Sequence, residues 1–182
     1  MKVFQKKELK HVKILNPSQT SKPIKNQRLY TFFDDLSFPH IPNSLVGIYL
    51  SFYFLDIDPI KSENIYYKIS PRIIEFMQNY LDIGDVEIIE LKPATYFLVM
   101  CNIDENTILS AIFLLKKDIE KRTLSYQNKE YNLKLRCGLY LTGPYIDAEK
   151  FYKLTKQQYQ LAYMHNNFLS IYNDCVDDLD FE

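Results

Sequence analysis

The sequence predicts an α+β or α/β sandwich, with helices packed on one central mixed sheet. Three observations carry this reading. Segments of strand character alternate with segments of helical spacing along most of the chain. Two strand-like stretches, "DVEIIELK" and "TYFLVMCNI", are separated only by "PA" and read as a hairpin in the middle of that alternation. One stretch, "LVGIYLSFYFLDI", is β-branched and aromatic and almost continuously apolar, as a central strand buried on both faces must be.

The elements follow in order. Residues 1–25 are polar and basic, broken by Pro17 and Pro23, and read as an arm with one short strand or helix at "HVKIL". "NQRLYTFFDDL" places Leu29, Phe32, Phe33 and Leu36 at helical spacing. "SFPHIPNS" is a loop with two prolines, and the central strand follows. Ser70-Pro71 reads as a helix start, Ser at the cap and Pro at the first position, ahead of "RIIEFMQNYL". After the hairpin, "ENTILSAIFLLKKDIEKR" is a long amphipathic helix, and "LSYQNKEYNLKLRCGLYL" is strand material around a polar turn. "DAEKFYKLTKQQYQLAYMHN" is a second amphipathic helix, whose stripe Phe151, Leu154, Tyr159 and Ala162 faces the sheet, and "FLSIYN" is a final strand.

Bulk numbers bound the function classes. A chain of 182 residues, 47% hydrophobic and 25% charged, is most simply one domain able to bury its own core. The net charge of −1 argues against a general nucleic-acid binder. That average hides two ends of opposite sign. Residues 1–28 carry Lys2, Lys6, Lys7, Lys10, Lys13, Lys22, Lys25 and Arg28 against Glu8 alone, whereas "DCVDDLDFE" carries five acids and no base. Two solvated ends account for this, and so does a docking arm for an acidic partner. Four glycines, none close together, exclude a phosphate-cradling glycine loop. Cys101, Cys137 and Cys175 fall in no zinc spacing, and two of them read as small buried residues, as suits a reducing cytosol. The longest apolar run is too short to span a bilayer, and a signal peptide is not apparent, so a cytoplasmic location is expected. His11, His40 and His165 form no local constellation with a nucleophile or acid. The tyrosines are read as half-buried strand and helix residues, with base or sugar stacking as the alternative.

In four places the residues resemble the GGDEF family, the bacterial diguanylate cyclases, over roughly residues 25–173. "NQRLY" is similar to the family's N-R-R-x-F helix start, keeping Asn26 and Arg28. "FLDIDPIKSEN" resembles its D-x-D-x-F-K-x-x-N segment, with Asp56, Asp58, Lys61 and Asn64 in register. "LRCGLYL" resembles its S-x-G strand, with Gly138 kept and Arg136 in place of serine. "DAEKFYKLTKQQYQLAYMHNN" resembles its last helix, keeping Tyr159 and Asn167. The resemblance implies a ferredoxin-like or palm-type sheet flanked by helices.

The departures bear on activity. The signature hairpin is "KPATYF" here, with Pro93 and Ala94 on the glycines and Thr95 and Tyr96 on the acids, and no Asp or Glu stands between Lys92 and Cys101. Two-metal phosphoryl transfer needs carboxylates from two chain segments on the same cations, and Asp56 and Asp58 supply one segment only. Proline and alanine also remove the backbone freedom of two glycines. The family's phosphate-binding lysine and arginine fall on Ala162 and Asn166, its second guanine-reading acid falls near Ile73, and "GDVE" lacks the arginine of the product-inhibition site.

The expectation is therefore a basic arm (1–25), a degenerate GGDEF-like domain (26–173) and an acidic tail (174–182), with no catalytic residues and no diguanylate cyclase activity. The leading function is a signalling or regulatory module acting on a protein partner or as a homodimer. One alternative is a non-catalytic receptor for GTP or a cyclic dinucleotide, with Asp56, Lys61 and Asn64 at the ligand. Another is a weak metal-dependent nucleotide phosphohydrolase using Asp56 and Asp58. No cofactor is expected, and Mg²⁺ only with a bound nucleotide. Against these stands a plain reading in which Asp58-Pro59 is a turn and Asp56 satisfies backbone donors at a strand end.

Overall fold

The computed structural model describes residues 14–15, 44–55, 59–81, 83, 85–126, 129–143 and 146–175, with side chains described for 44–55, 65–81, 83, 86–123, 130–143 and 146–175. In chain order the elements are β1 (Ile14–Leu15), β2 (Leu45–Phe54), α1 (Pro59–Leu81), β3 (Asp85–Lys92), β4 (Thr95–Cys101), α2 (Glu105–Ile119), β5 (Thr123–Tyr126), β6 (Lys129–Thr142), α3 (Ala148–Met164) and β7 (Leu169–Asn173). The expected helix at "NQRLYTFFDDL" lies outside the described residues.

One seven-stranded mixed sheet holds the order β1-β3-β4-β2-β6-β5, with β7 also beside β6. β2 is central. It runs antiparallel to β4, with Leu45 opposite Cys101 and Ser51 opposite Thr95, and antiparallel to β6, with Phe54 opposite Leu133. β3 and β4 form the expected hairpin. β1 lies parallel to β3 and β7 parallel to β6.

The near-continuous apolarity of β2 is explained by its two covered faces. Val46, Ile48, Leu50, Phe52 and Phe54 face α1 and α2, packing on Ile69, Ile73, Met77, Ile108, Ile112 and Leu115. Leu45 and Tyr49 face the other way and join Phe97, Tyr140 and Phe151 under α3. Cys101 and Cys137 are buried, as their apolar flanks predicted. Asp104 caps α2 by accepting the Thr107 N–H at 2.9 Å, and Asp147 caps α3 by accepting the Lys150 N–H at 3.0 Å.

Two sequence expectations need correction. Ser70-Pro71 does not start a helix, because α1 begins at Pro59 and Pro71 lies inside it. Pro59 takes the favoured first position. Pro71 removes the N–H that would have bonded the Tyr67 carbonyl, at an exposed turn where water can serve it. The expected strand material at 123–142 is present as two antiparallel strands, β5 and β6. The sheet-facing side of α3 consists of Phe151, Thr155, Gln158 and Ala162, while Leu154 and Tyr159 are half-buried at its flanks. The helix sits too close to the sheet for larger side chains beneath it: a Cβ on Gly47 would lie 2.3 Å from Thr155 Oγ1.

Candidate functional site

The hairpin turn sits against the end of β2. Pairing of Thr95 with Ser51, and a bond from the Phe52 N–H to the Ala94 carbonyl at 2.8 Å, fix it there. Arg136 of β6 pairs with Ser51 from the other side. Thr95, Ser51 and Arg136 thus form a polar row across three strands on the α3 face, and all three are buried. Ser51 Oγ is 2.6 Å from Tyr159 OH. The Arg136 guanidinium lies 4.8 Å from the ring centroids of both Tyr53 and Tyr163. Its Nη2 donates to Asn166 Oδ1 at 3.3 Å and its Nε to the Asn167 carbonyl at 3.4 Å.

Chemically this row is two hydroxyls and a guanidinium. A divalent cation prefers carboxylate oxygens, so the row suits an anion better than a metal. Arg136 stacks on two rings and bonds in a plane, a geometry that lysine does not reproduce. Arg136→Lys should cost about 1–2 kcal/mol, read as a lower urea midpoint at unchanged m-value.

The turn itself keeps a glycine-like backbone. Pro93 precedes Ala94, whose φ is 59°, the pattern of a type II turn. Alanine therefore does not abolish the left-handed conformation, contrary to the sequence expectation. The conformation costs about 1–2 kcal/mol, and the buried Ala94 methyl and the bond from Phe52 hold it in place.

On the opposite face, the Ser70 hydroxyl donates to Glu90 Oε1 and lies 2.6 Å from Tyr96 OH. Tyr96 is fully buried and meets Phe52 edge-on. Burial pushes the Glu90 carboxyl above its ordinary value, while hydrogen bonds from Ser70 and the Ala94 backbone hold it back. A carboxyl raised by folding binds its proton more tightly in the native state. Its contribution is then fully present below 4.5, its ordinary value, and is lost as pH rises through the folded value. Glu90→Gln should remove this loss, so the stability difference between mutant and wild type should shift in the mutant's favour as pH rises. Denaturant titrations across that range would show it.

A cavity of about 380 Å³ opens between α1, the end of α2 and the start of β6. Its walls are Ile69, Ile73, Phe76, Ile119 and Leu133, and its polar lining is Arg72, Arg122 and Thr123. Arg122 stacks 4.5 Å from the Phe76 ring centroid and bonds Asp118 at 3.1 Å. Ile73, where the resemblance places a guanine-reading acid, is an apolar wall here.

Asp56 and Asp58 lie outside the described residues. Lys61 and Asn64 lie in the first two turns of α1, and their side chains are not described. Among the described residues no three His, Cys, Asp or Glu side chains converge as a metal site would require, and no helix is long and apolar enough to cross a membrane. Sequence reasoning passed over Arg136 and Glu90 as site residues. Both carried a signal: Arg136 shares strand parity with Gly138 and the inward Tyr140, and Glu90 shares strand parity with the inward Val86 and Ile88.

No family model and no curated protein matches the sequence. Solved structures do match. The FimX GGDEF domain from Pseudomonas aeruginosa aligns with a TM-score of 0.64 at 7% identity, over 81% of this chain and 93% of that one. The active GGEEF domain of a diguanylate cyclase from Vibrio cholerae aligns at 0.57 and 13% identity, over 80% and 90%. The diguanylate cyclase SiaD from Pseudomonas aeruginosa, solved in complex with its activator SiaC, aligns at 0.60 and 9% identity, over 81% of this chain and 55% of that one. At these identities the likeness is one of fold, and the chain is a GGDEF-like domain in its fold.

Proposed function

We propose that this chain is a catalytically silent GGDEF-type module that regulates through contact with a protein partner. One observation supports it most. Where the hairpin would bring acids to the end of β2, the buried row offers Thr95, Ser51 and Arg136. The turn then supplies no carboxylate to complete a cage with Asp56 and Asp58, and an incomplete cage holds Mg²⁺ weakly. A fold kept while its chemistry is lost is suited to binding, an argument by analogy. SiaD shows that a protein of this fold can be solved together with a protein activator.

A second reading, a non-catalytic nucleotide receptor, draws on Arg136. The resemblance places a phosphate-binding arginine at Asn166, and the Arg136 guanidinium reaches that same residue from the sheet. Melting in GTP, ATP, cyclic di-GMP or cyclic di-AMP, with and without Mg²⁺, separates the two. The partner reading expects no shift with any of them. A ligand at about a hundred times its dissociation constant would add about 2.7 kcal/mol, and a shift of that size would replace the partner reading with the receptor.

A further inference from the structure

We infer that the outer edge of β7 is a homodimer seam, where a second copy of this chain adds its own β7 antiparallel across a two-fold axis at Ile171. This rests on the partner-contact reading and names the partner as a second copy.

Backbone geometry sets up the seam. In the parallel ladder with β6, the Cys137 N–H bonds the Phe168 carbonyl and the Asp174 N–H bonds the Leu141 carbonyl. Even-numbered residues of the strand thus turn their backbone groups to β6, leaving those of Leu169, Ile171 and Asn173 pointing outward. Among the described residues no strand pairs with that edge. The strand "LSIYN" carries no charge, proline or bulge, the devices that normally blunt an exposed edge. A two-fold at Ile171 sets Ile171 against its own copy and Leu169 against Asn173 of the second copy, so all the outward groups find partners.

The flanking side chains fit the same symmetry. Ile171 is 36% exposed and Phe113 of α2 is 53% exposed, with the Phe113 ring 5.2 Å from Phe168. Charge lies at opposite ends of the strand. Lys116, which with Lys134 shares the single carboxylate of Glu120 and so leaves a net positive charge, sits with its Nζ 5.2 Å from the Phe168 ring centroid at its start, and Glu105 accepts from Asn173 at 2.6 Å at its finish. An antiparallel two-fold brings the lysine end of one copy to the glutamate end of the other. A second copy is therefore complementary in charge, and every contact occurs twice, as an isologous interface requires.

Sedimentation velocity of the full chain, from about 1 µM to about 200 µM, covers tight to weak self-association. The expected result is a rise from 21.7 kDa toward twice that mass. Ile171→Pro removes one outward N–H and leaves the β6 ladder intact, while Ile171→Lys sets two charges face to face on the axis. Each should remain at 21.7 kDa at all concentrations while keeping wild-type circular dichroism. Should the proline variant fail to fold, the lysine variant decides. A wild-type chain that stays monomeric throughout, or a folded variant that still dimerises, overturns the inference. Sedimentation reads assembly alone and turnover of GTP reads catalysis alone, so failure of the seam and failure of the silent-module reading are told apart.

Discussion

Gly138→Ala should destabilise the protein by about 3 kcal/mol or more. A Cβ built there would lie 2.0 Å from the Tyr159 N, 2.6 Å from its Cα and 2.7 Å from the Gln158 carbonyl carbon. Overpacking a core typically costs about 1–3 kcal/mol, and the usual relief is rotation of a neighbouring side chain. Here the obstacle is helix backbone, so α3 must lift from β6, loosening Phe151 and Ala162, both fully buried. Gly47→Ala is the informative control. Its new Cβ would meet side-chain atoms, Thr155 Oγ1 at 2.3 Å and Phe151 Cζ at 2.9 Å. Those groups can shift, so the cost should be smaller, and adding Thr155→Ala should recover part of it. Urea unfolding with m-values compared across the variants measures all of these. A wild-type midpoint for Gly138→Ala would mean that the helix does not sit this close.

Phe151→Ala should cost about 3–5 kcal/mol. Phe151 meets Phe97 edge-on at 6.1 Å between ring centroids and Tyr140 at 5.8 Å, tying α3 to β4 and β6. Its ring also lies over Gly47, which has no side chain to fill the space left behind. The cavity therefore cannot collapse from the β2 side, which places the cost toward the upper part of that range. The same helix carries Tyr159, which bonds Ser51, and leads into Asn166, which bonds Arg136. Loss of Phe151 should thus loosen the polar row as well as the core, and hydrogen exchange at Ser51 and Arg136 amides should rise together with that of α3.

The sequence made some elements plain and hid others for identifiable reasons. β2 was legible because two covered faces leave no polar alternation, and the hairpin because only Pro93 and Ala94 separate two strand-like runs. α1 was misread at Ser70-Pro71 because a cap pair and an interior proline look alike until the partner of the serine is known. Ser70 turned out to bond Glu90 and Tyr96, twenty and twenty-six residues away. The short element expected at "HVKIL" includes the strand Ile14–Leu15, but its pairing with β3 is likewise long-range, and nothing local announces that partner. At the candidate site, the lack of acids in the turn could be read directly. The approach of Arg136 to Asn166 could not, because it depends on the register of β6 against α3 rather than on any spacing along the chain.

The central claim is that the turn beside β2 brings no second carboxylate to a metal, and incubation with GTP tests it most directly. Purified protein would be held with GTP and Mn²⁺ or Mg²⁺, and the nucleotides separated by chromatography. The account predicts GTP unchanged relative to a protein-free control, with neither cyclic di-GMP nor GDP accumulating. Cyclic di-GMP formed in proportion to protein would contradict it outright, and GDP alone would show that Asp56 and Asp58 suffice for a metal-dependent hydrolysis.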